Sequence, residues 1–183
     1  MQKWVLILIG LIVTAMPSHA QLQLGPIGTW RAHFSNESIQ QVIKGDQIYV
    51  AAANQIIQIN AKKETSYLNT TNGLHATGIN KIAWHPIENQ LIITYKNSRI
   101  DIVQGDQITL IDDIQLTNLY SDKTINDLFV LNNNAYLSCN FGIVVIDLIK
   151  KEIKATYFPN NNRQIVKVLQ TLSYQNKLSP SLK

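Results

Sequence analysis

The chain has 183 residues, of which 45% are hydrophobic and 15% charged, and a formal net charge of +4. The positive charge is local: residues 150–183 carry seven Lys or Arg against one acidic residue, whereas residues 21–149 carry eight against eleven. Basic side chains spread thinly along one terminus argue against a nucleic-acid partner and for a solvated tail. The single cysteine, Cys139, excludes an intrachain disulfide, so packing alone must stabilise the fold.

The first 20 residues have the features of a secretory signal peptide. Lys3 supplies a positive charge, residues 4–16 are almost entirely apolar, and residues 18–20 (SHA) provide a small-residue cleavage site. The apolar run is shorter than the roughly 20 residues that a membrane-spanning helix needs. We therefore expect cleavage before Gln21 and export to the periplasm or the outer-membrane surface.

After a lead-in over residues 21–34, one pattern occurs three times, at offsets of 43 and 44 residues, in segments 47–60, 90–103 and 134–147. Each segment has a polar start, a run of β-favouring residues, a polar or small middle and a second apolar run. A repeat of about 40–45 residues built from short strands is typical of β-propeller blades. A β-sandwich also has short strands, but nothing in that fold requires this period.

Each repeat is predicted to form four short antiparallel strands. Ile, Val, Thr and Tyr dominate the strands, and Gly, Asn and Asp occupy the turns. The second and third strands are apolar almost throughout, which indicates that neighbouring blades cover both of their faces. The sequence therefore predicts an all-β chain: a partial β-propeller of about three four-stranded antiparallel blades that is not closed. The predicted organisation is a signal peptide (1–20), a partial propeller (21–158) with blades at about 35–70, 78–112 and 124–158, and a basic tail (159–183) that diverges or begins an incomplete blade.

Three blades are too few for a ring, since propellers typically need four to eight. The open sheet edges favour aggregation. We therefore expect a truncated gene product, a cloned segment, or a chain that associates with further blades missing from it, and poor solubility or oligomerisation when it is expressed alone.

No catalytic or metal-binding constellation is evident. The three histidines that follow the signal peptide are isolated on a predicted strand (His33), loop (His75) and turn (His85), whereas zinc ligands come in close pairs. The aspartates lack the alternating spacing of a calcium loop. A nucleophile elbow and a phosphate-binding loop are also missing. Cys139 lies in an apolar run and is expected to fill core space. We therefore expect that the chain is not an enzyme and binds no cofactor or metal. The side chains that could have served as metal ligands or catalytic groups are His33, His75, His85, Asp112, Asp113, Asp122 and Asp127.

One weak binding candidate lies in the lead-in, where Trp30 and Arg31 are followed by His33. An aromatic ring beside a guanidinium suits a sugar or an anion. The alternative is that Trp30 packs beneath a neighbouring blade.

Three stretches resemble one known family. They are the lead-in IGTWRAHF (27–34), the Asn72-Gly73-Leu74 turn before Gly78, and the run YLSCNFGIVVID (136–147). Together they resemble the N-terminal propeller of PorZ-type proteins of the bacterial type IX secretion system, over most of residues 27–158. The Asn-Gly-Leu element is also similar to repeats in the propellers of two-component regulators.

The resemblance implies a function in secretion. Proteins of this family are long, with two seven-bladed propellers and a C-terminal sorting domain, and they present anionic lipopolysaccharide at the outer-membrane surface to the sortase that attaches it to cargo. It therefore implies a non-enzymatic binding module whose partners are anionic lipopolysaccharide or other secretion-system proteins. Two alternatives stay open, namely the extracytoplasmic sensor propeller of a hybrid two-component regulator and a propeller enzyme acting on polysaccharides.

Overall fold

The structure is a computed structural model that describes residues 39–158. The expected signal peptide, the candidate residues Trp30, Arg31 and His33, and the expected tail (159–183) lie outside the described residues.

Within that range, twelve strands form three separate four-stranded sheets, and each sheet is an antiparallel meander in chain order. Blade 1 contains β1 (Ile39–Lys44), β2 (Ile48–Ala52), β3 (Gln55–Ile59) and β4 (Thr65–Asn69). Blade 2 contains β5 (Ile79–His85), β6 (Gln90–Tyr95), β7 (Ile100–Gln104) and β8 (Gln107–Ile111). Blade 3 follows a short helix, α1 (Asp113–Leu116), and contains β9 (Ile125–Leu131), β10 (Asn134–Cys139), β11 (Gly142–Asp147) and β12 (Glu152–Tyr157). The predicted fold class, a partial propeller of three blades that do not close, is confirmed.

Turn chemistry explains two of the tightest hairpins. Two residues join β7 to β8, and the first of them, Gly105, has φ 58°. Two residues also join β9 to β10, and there Asn132 has φ 51°. Positive φ in a two-residue loop matches the twist of the flanking strands, and Gly and Asn adopt it at low cost.

The first strands of the three blades, β1, β5 and β9, contact one another in order. A side-chain amide joins each to the next. Gln41 of β1 donates to the carbonyl of Ile82 and accepts from the N–H of the same residue, both at 2.9 Å. Asn80 of β5 donates to the carbonyl of Ile125 in β9. The blades are therefore held in register by hydrogen bonds to backbone groups as well as by apolar packing.

Apolar side chains fill both blade interfaces. Ala51, Ile56 and Ile93 belong to the cluster between blades 1 and 2, whereas Ile92 and Leu137 belong to the cluster between blades 2 and 3. Strand β6 contributes to both and is buried along its whole length. Successive strand residues point to opposite faces, so a strand covered on two sides must be apolar at consecutive positions, as the sequence predicted.

The free thiol of Cys139 lies in the core between blades 2 and 3 and is fully buried. The expectation that it fills core space is confirmed. Burial raises the pKa of this thiol to about 12, so it stays neutral at physiological pH.

No helix among residues 39–158 has the length and apolarity required to cross a bilayer.

Candidate binding cleft between blades 1 and 2

The residues singled out in the sequence are not brought together as one site. Trp30, Arg31 and His33 lie outside residues 39–158, so their role as a binding platform stays a prediction. Of the other histidines, His75 lies in the connection between blades 1 and 2, whereas His85 is the last residue of β5 and fully buried. The sequence predicts a turn at His85, but the residue ends a strand and its side chain is enclosed.

A buried carboxylate ties the connection between blades 1 and 2 to the second blade. Asp101 in β7 is fully buried, and it accepts a hydrogen bond of 2.6 Å from the Tyr95 hydroxyl and one of 2.9 Å from the His75 N–H. The ring Nδ1 of His75 lies 2.8 Å from the same carboxylate. Burial, and then the bond to Asp101, raise the pKa of Tyr95 far above its usual value. Each of the three residues is bonded to another member of the network, so we assign the network a structural role.

The remaining aspartates are dispersed. Asp122 accepts from both the N–H and the hydroxyl of Thr124 at the entry to blade 3, and Asp113 lies in the first turn of α1. Across the described part of the chain, no three His, Cys, Asp or Glu side chains converge as metal ligands would.

A cleft of about 490 Å³ opens between blades 1 and 2, at the end of the sheets where three turns meet. These are the β1–β2, β5–β6 and β7–β8 turns. Strands β2, β3, β5, β6 and β7 also contribute to the walls. The polar and aromatic side chains of the lining include Asp46, Tyr49, Gln58, Trp84, Asn89 and Asp106.

Two stacked aromatic rings belong to the apolar part of the lining, together with Leu91 and Val103. The centroids of Tyr49 in β2 and Trp84 in β5 are 5.4 Å apart, with an interplanar angle of 26°. Gly45 lies against the indole so closely that a Cβ on it would come 2.5 Å from the Trp84 ring. A residue without a side chain is therefore required beside this ring.

Hydrogen bonds hold the rim of the cleft on the blade 1 side. One carboxylate oxygen of Asp46 accepts from the Tyr49 hydroxyl at 2.7 Å and from the Gln47 N–H at 2.9 Å. The side-chain amide of Gln47 donates to the Tyr49 hydroxyl at 3.3 Å. Burial, and to a smaller extent Asp46, raise the pKa of Tyr49 to about 12. The phenol therefore stays protonated and keeps donating to Asp46.

Several polar groups of the cleft lack a protein partner. Within residues 39–158, the Trp84 indole N–H, the Asn89 side chain and the Asp106 carboxylate make no hydrogen bond or ion pair with another side chain or with the backbone. The lining contains no Lys, Arg or His. The cleft thus combines an aromatic pair with unoccupied donors and acceptors, and it carries negative but no positive charge.

A second cavity, of about 370 Å³, lies between α1 and the outer strands of blade 3. Ile114, Tyr120, Phe141 and Val144 are among its lining residues, and the rings of Tyr120 and Phe141 stack with centroids 4.0 Å apart. Because these side chains extend the apolar cluster between blades 2 and 3, we regard this cavity as incomplete core packing.

A family model for the type IX secretion protein PorZ, describing its N-terminal β-propeller domain, matches residues 48–180. The chain belongs to the PorZ N-terminal β-propeller family. The sequence resemblance to PorZ-type proteins is thereby confirmed. No curated protein matches the chain.

Solved structures agree with the family. This PorZ-type chain is similar to PorZ of Porphyromonas gingivalis, described as an essential bacterial surface component of the type IX secretion system, with a TM-score of 0.66 and 25% identity over 71% of the chain. It spans 18% of that protein. The chain is also similar to the extracellular domain of a putative hybrid two-component system from B. thetaiotaomicron, with a TM-score of 0.55 and 16% identity. That match covers 67% of this chain and 17% of the other. The match to AztD of Citrobacter koseri has a TM-score of 0.51 and 12% identity, and it covers 69% of this chain and 36% of AztD.

The family match and the description of PorZ as a surface component support an extracytoplasmic location for this PorZ-type propeller. The two matches below 20% identity show the fold alone.

Proposed function

We propose that the chain is an exported, non-enzymatic binding module of the type IX secretion system that serves the surface attachment of secreted proteins through anionic lipopolysaccharide. The observation that carries the proposal is the family match over residues 48–180, together with the similarity to PorZ of P. gingivalis. Propellers present loops and clefts on a rigid scaffold, which suits binding.

We further propose that the chain works at the outer-membrane surface after cleavage of residues 1–20. The description of PorZ as a surface component supports this location, and the apolar segment after Lys3 supports the export route. The basic excess of residues 150–183 supplies charge of the sign that an anionic polysaccharide requires.

The partners in this proposal include further propeller blades. On blade 1, the side chains of Val42, Ile48 and Tyr67 are 59%, 42% and 47% exposed. Cross-strand pairing places Val42 opposite Val50 and Tyr67 opposite Ile57, on the face turned away from blade 2. An apolar sheet face of this kind is chemically suited to a further blade.

The secretion role is tested by deleting the gene in a bacterium that has a type IX system and restoring it on a plasmid as the full chain. We expect cargo to be lost from the cell surface in the deletion strain and recovered on complementation. Normal surface cargo in the deletion strain would refute the role in secretion.

Ligand binding is tested separately. The purified chain is mixed with lipopolysaccharide from a wild-type strain and with lipopolysaccharide from a strain that lacks the anionic polysaccharide. Retention of the first only is expected, and equal or absent retention of both would refute the assignment of the ligand.

The alternative, an extracytoplasmic ligand-sensing propeller of a hybrid two-component regulator, is supported by the fold of the B. thetaiotaomicron domain. A sensor would change transcription in response to a ligand and leave cargo attachment intact. Transcript profiles of the deletion strain described above therefore separate the two functions.

A further inference from the structure

We propose that the cleft between blades 1 and 2 binds a neutral saccharide, which lies against the partly exposed Trp84 ring and hydrogen-bonds to the turns around it. This site goes beyond the proposed function, because the ligand is uncharged and the residues that bind it belong to the acidic part of the chain.

The aromatic pair is a departure from the repeat. By the repeated segments, Tyr49 corresponds to Ile92 and Leu91 to Ala135. Trp84 pairs with Leu91 and Val130 pairs with Ala135, so Trp84 corresponds to Val130. Ile92 and Val130 pack in the core between blades 2 and 3, so an aliphatic pair is sufficient to join two blades at this position. At the first interface, Tyr49 is only 5% exposed and packs in the core between blades 1 and 2, whereas Trp84 is partly exposed and lines the cleft. The indole ring offers a flat apolar surface on which the C–H face of a sugar ring can lie.

The volume and the mixed lining suit a small ligand. A cleft of about 490 Å³ falls within the roughly 300–1,000 Å³ of ligand pockets, which combine apolar walls with a few polar groups that orient the ligand. A short saccharide presents both an apolar face and a rim of hydroxyls, so it can use both parts of this lining.

The unoccupied polar groups match hydroxyls. A hydroxyl both donates and accepts. In the cleft, the Trp84 indole N–H can donate, the Asp106 carboxylate can accept, and the Asn89 amide can do both. One oxygen of Asp46 accepts hydrogen bonds from Tyr49 and Gln47, and the other oxygen remains available to a ligand. The cleft therefore offers both hydrogen-bond donors and hydrogen-bond acceptors, as the hydroxyls of a neutral polyol require.

The charges of the cleft argue against two other ligand classes. An anionic sugar would face Asp46 and Asp106 without any lining cation to offset them. A cation would find two carboxylates, but both belong to exposed residues, and attraction between solvent-exposed charges is weak. Stacking and hydrogen bonding, which do not depend on ligand charge, are the stronger terms here.

The floor of the cleft is formed before any ligand arrives. Gly45 packs against Trp84, and the bonds among Asp46, Gln47 and Tyr49 hold the phenol in place. Binding therefore orders few side chains, which lowers its entropic cost.

The test is a titration of the purified, isotope-labelled chain, with the indole N–H resonance of Trp84 followed by NMR. The probes are the neutral methyl glycosides of glucose, galactose, mannose and N-acetylglucosamine, with glucosamine and glucuronic acid as charged counterparts. We expect at least one neutral glycoside to shift this resonance in the millimolar range, and glucuronic acid to leave it unmoved.

Variants locate the site. Asp106→Ala and Asn89→Gly are expected to weaken binding about five-fold or more each, as the loss of one hydrogen bond predicts. Asn89→Gly retains the positive φ of this turn residue. Glu152→Ala, which removes an exposed carboxylate of blade 3, is the matched control and should leave the affinity unchanged. Far-UV circular dichroism of each variant confirms that it is folded.

Three outcomes would overturn the proposal. They are no shift with any neutral glycoside, binding of glucosamine alone that Asp106→Asn abolishes, or binding that neither cleft variant weakens. Lipopolysaccharide retention by the same variants distinguishes this site from the proposed function: anionic lipopolysaccharide should still be retained by Asp106→Ala, so either result can fail without the other.

Discussion

Replacing Asp101 by alanine should be among the most damaging single changes in the chain. The carboxylate is fully buried and accepts from the Tyr95 hydroxyl and the His75 N–H, at 2.6 and 2.9 Å. The substitution leaves the buried Tyr95 hydroxyl without an acceptor, strips the His75 N–H of its partner, and frees the connection between blades 1 and 2 from β7.

The magnitude follows from the number of groups left without partners. A buried donor without an acceptor costs about 1–3 kcal/mol, and removing one member of a buried charged network typically costs about 3–5 kcal/mol. We therefore expect Asp101→Ala to lower the free energy of unfolding by about 4 kcal/mol. Tyr95→Phe removes only one bond and should cost about 1–3 kcal/mol. The double variant should lose less stability than the sum of the losses in the two single variants, because Asp101 and Tyr95 share one hydrogen bond.

The assay is urea denaturation of the purified chain at neutral pH, followed by far-UV circular dichroism. Glu152→Ala is the control, because its carboxylate is 62% exposed and lies 3.8 Å from the Lys150 ammonium. An exposed ion pair contributes about 0–1 kcal/mol. A loss of less than about 1 kcal/mol in Asp101→Ala would refute the structural role of the network.

Three further changes test the packing of the blades. Gly45→Ala should destabilise the chain by about 1–3 kcal/mol, because the new Cβ would lie 2.5 Å from the Trp84 ring; an unchanged urea midpoint would contradict this. His85→Leu should raise the free energy of unfolding by about 1 kcal/mol, since both ring nitrogens are buried without a partner, and a loss in the same assay would show that they are satisfied. Cys139 should resist iodoacetamide at pH 8 in the folded chain and react in concentrated urea, as read by mass spectrometry. Because burial raises its pKa from 9.0 to about 12, its contribution to stability is present below pH 9 and lost as the pH rises toward 12.

The fold could be predicted because its signals are periodic and local. The offsets of 43 and 44 residues define the blades, and consecutive apolar residues in β6 indicate a strand covered on both faces. The helix α1 was missed. It has four residues and no side-chain cap, which is too short for any helical periodicity to be read.

The cleft could not be predicted from the sequence. Its polar residues lie in turns, where Asp and Asn are expected for conformational reasons alone. Asp46 and Asp106 are 60 positions apart, and only the packing of blade 1 against blade 2 brings their turns together. The one signal available was the pair Tyr49 and Trp84, aromatic at positions where the next interface is aliphatic, and this becomes meaningful only once it is known which residues face each other. His85 was misplaced for a related reason, because a polar residue beside Pro86 is typical of a turn.

The two interfaces together show which features build the propeller and which are specific. Both have an amide side chain that joins the first strands, Gln41 to Ile82 and Asn80 to Ile125, and both bury aliphatic residues from the second and third strands. These shared features are sufficient to hold one blade to the next, whatever the chain binds. The Asp101 network and the Trp84 cleft occur at only one of the two interfaces. The residues of the network hydrogen-bond to one another, whereas the cleft contains polar groups that have no protein partner. A ligand gains from unpaired groups and not from occupied ones, so the cleft is where recognition by this part of the propeller is to be sought.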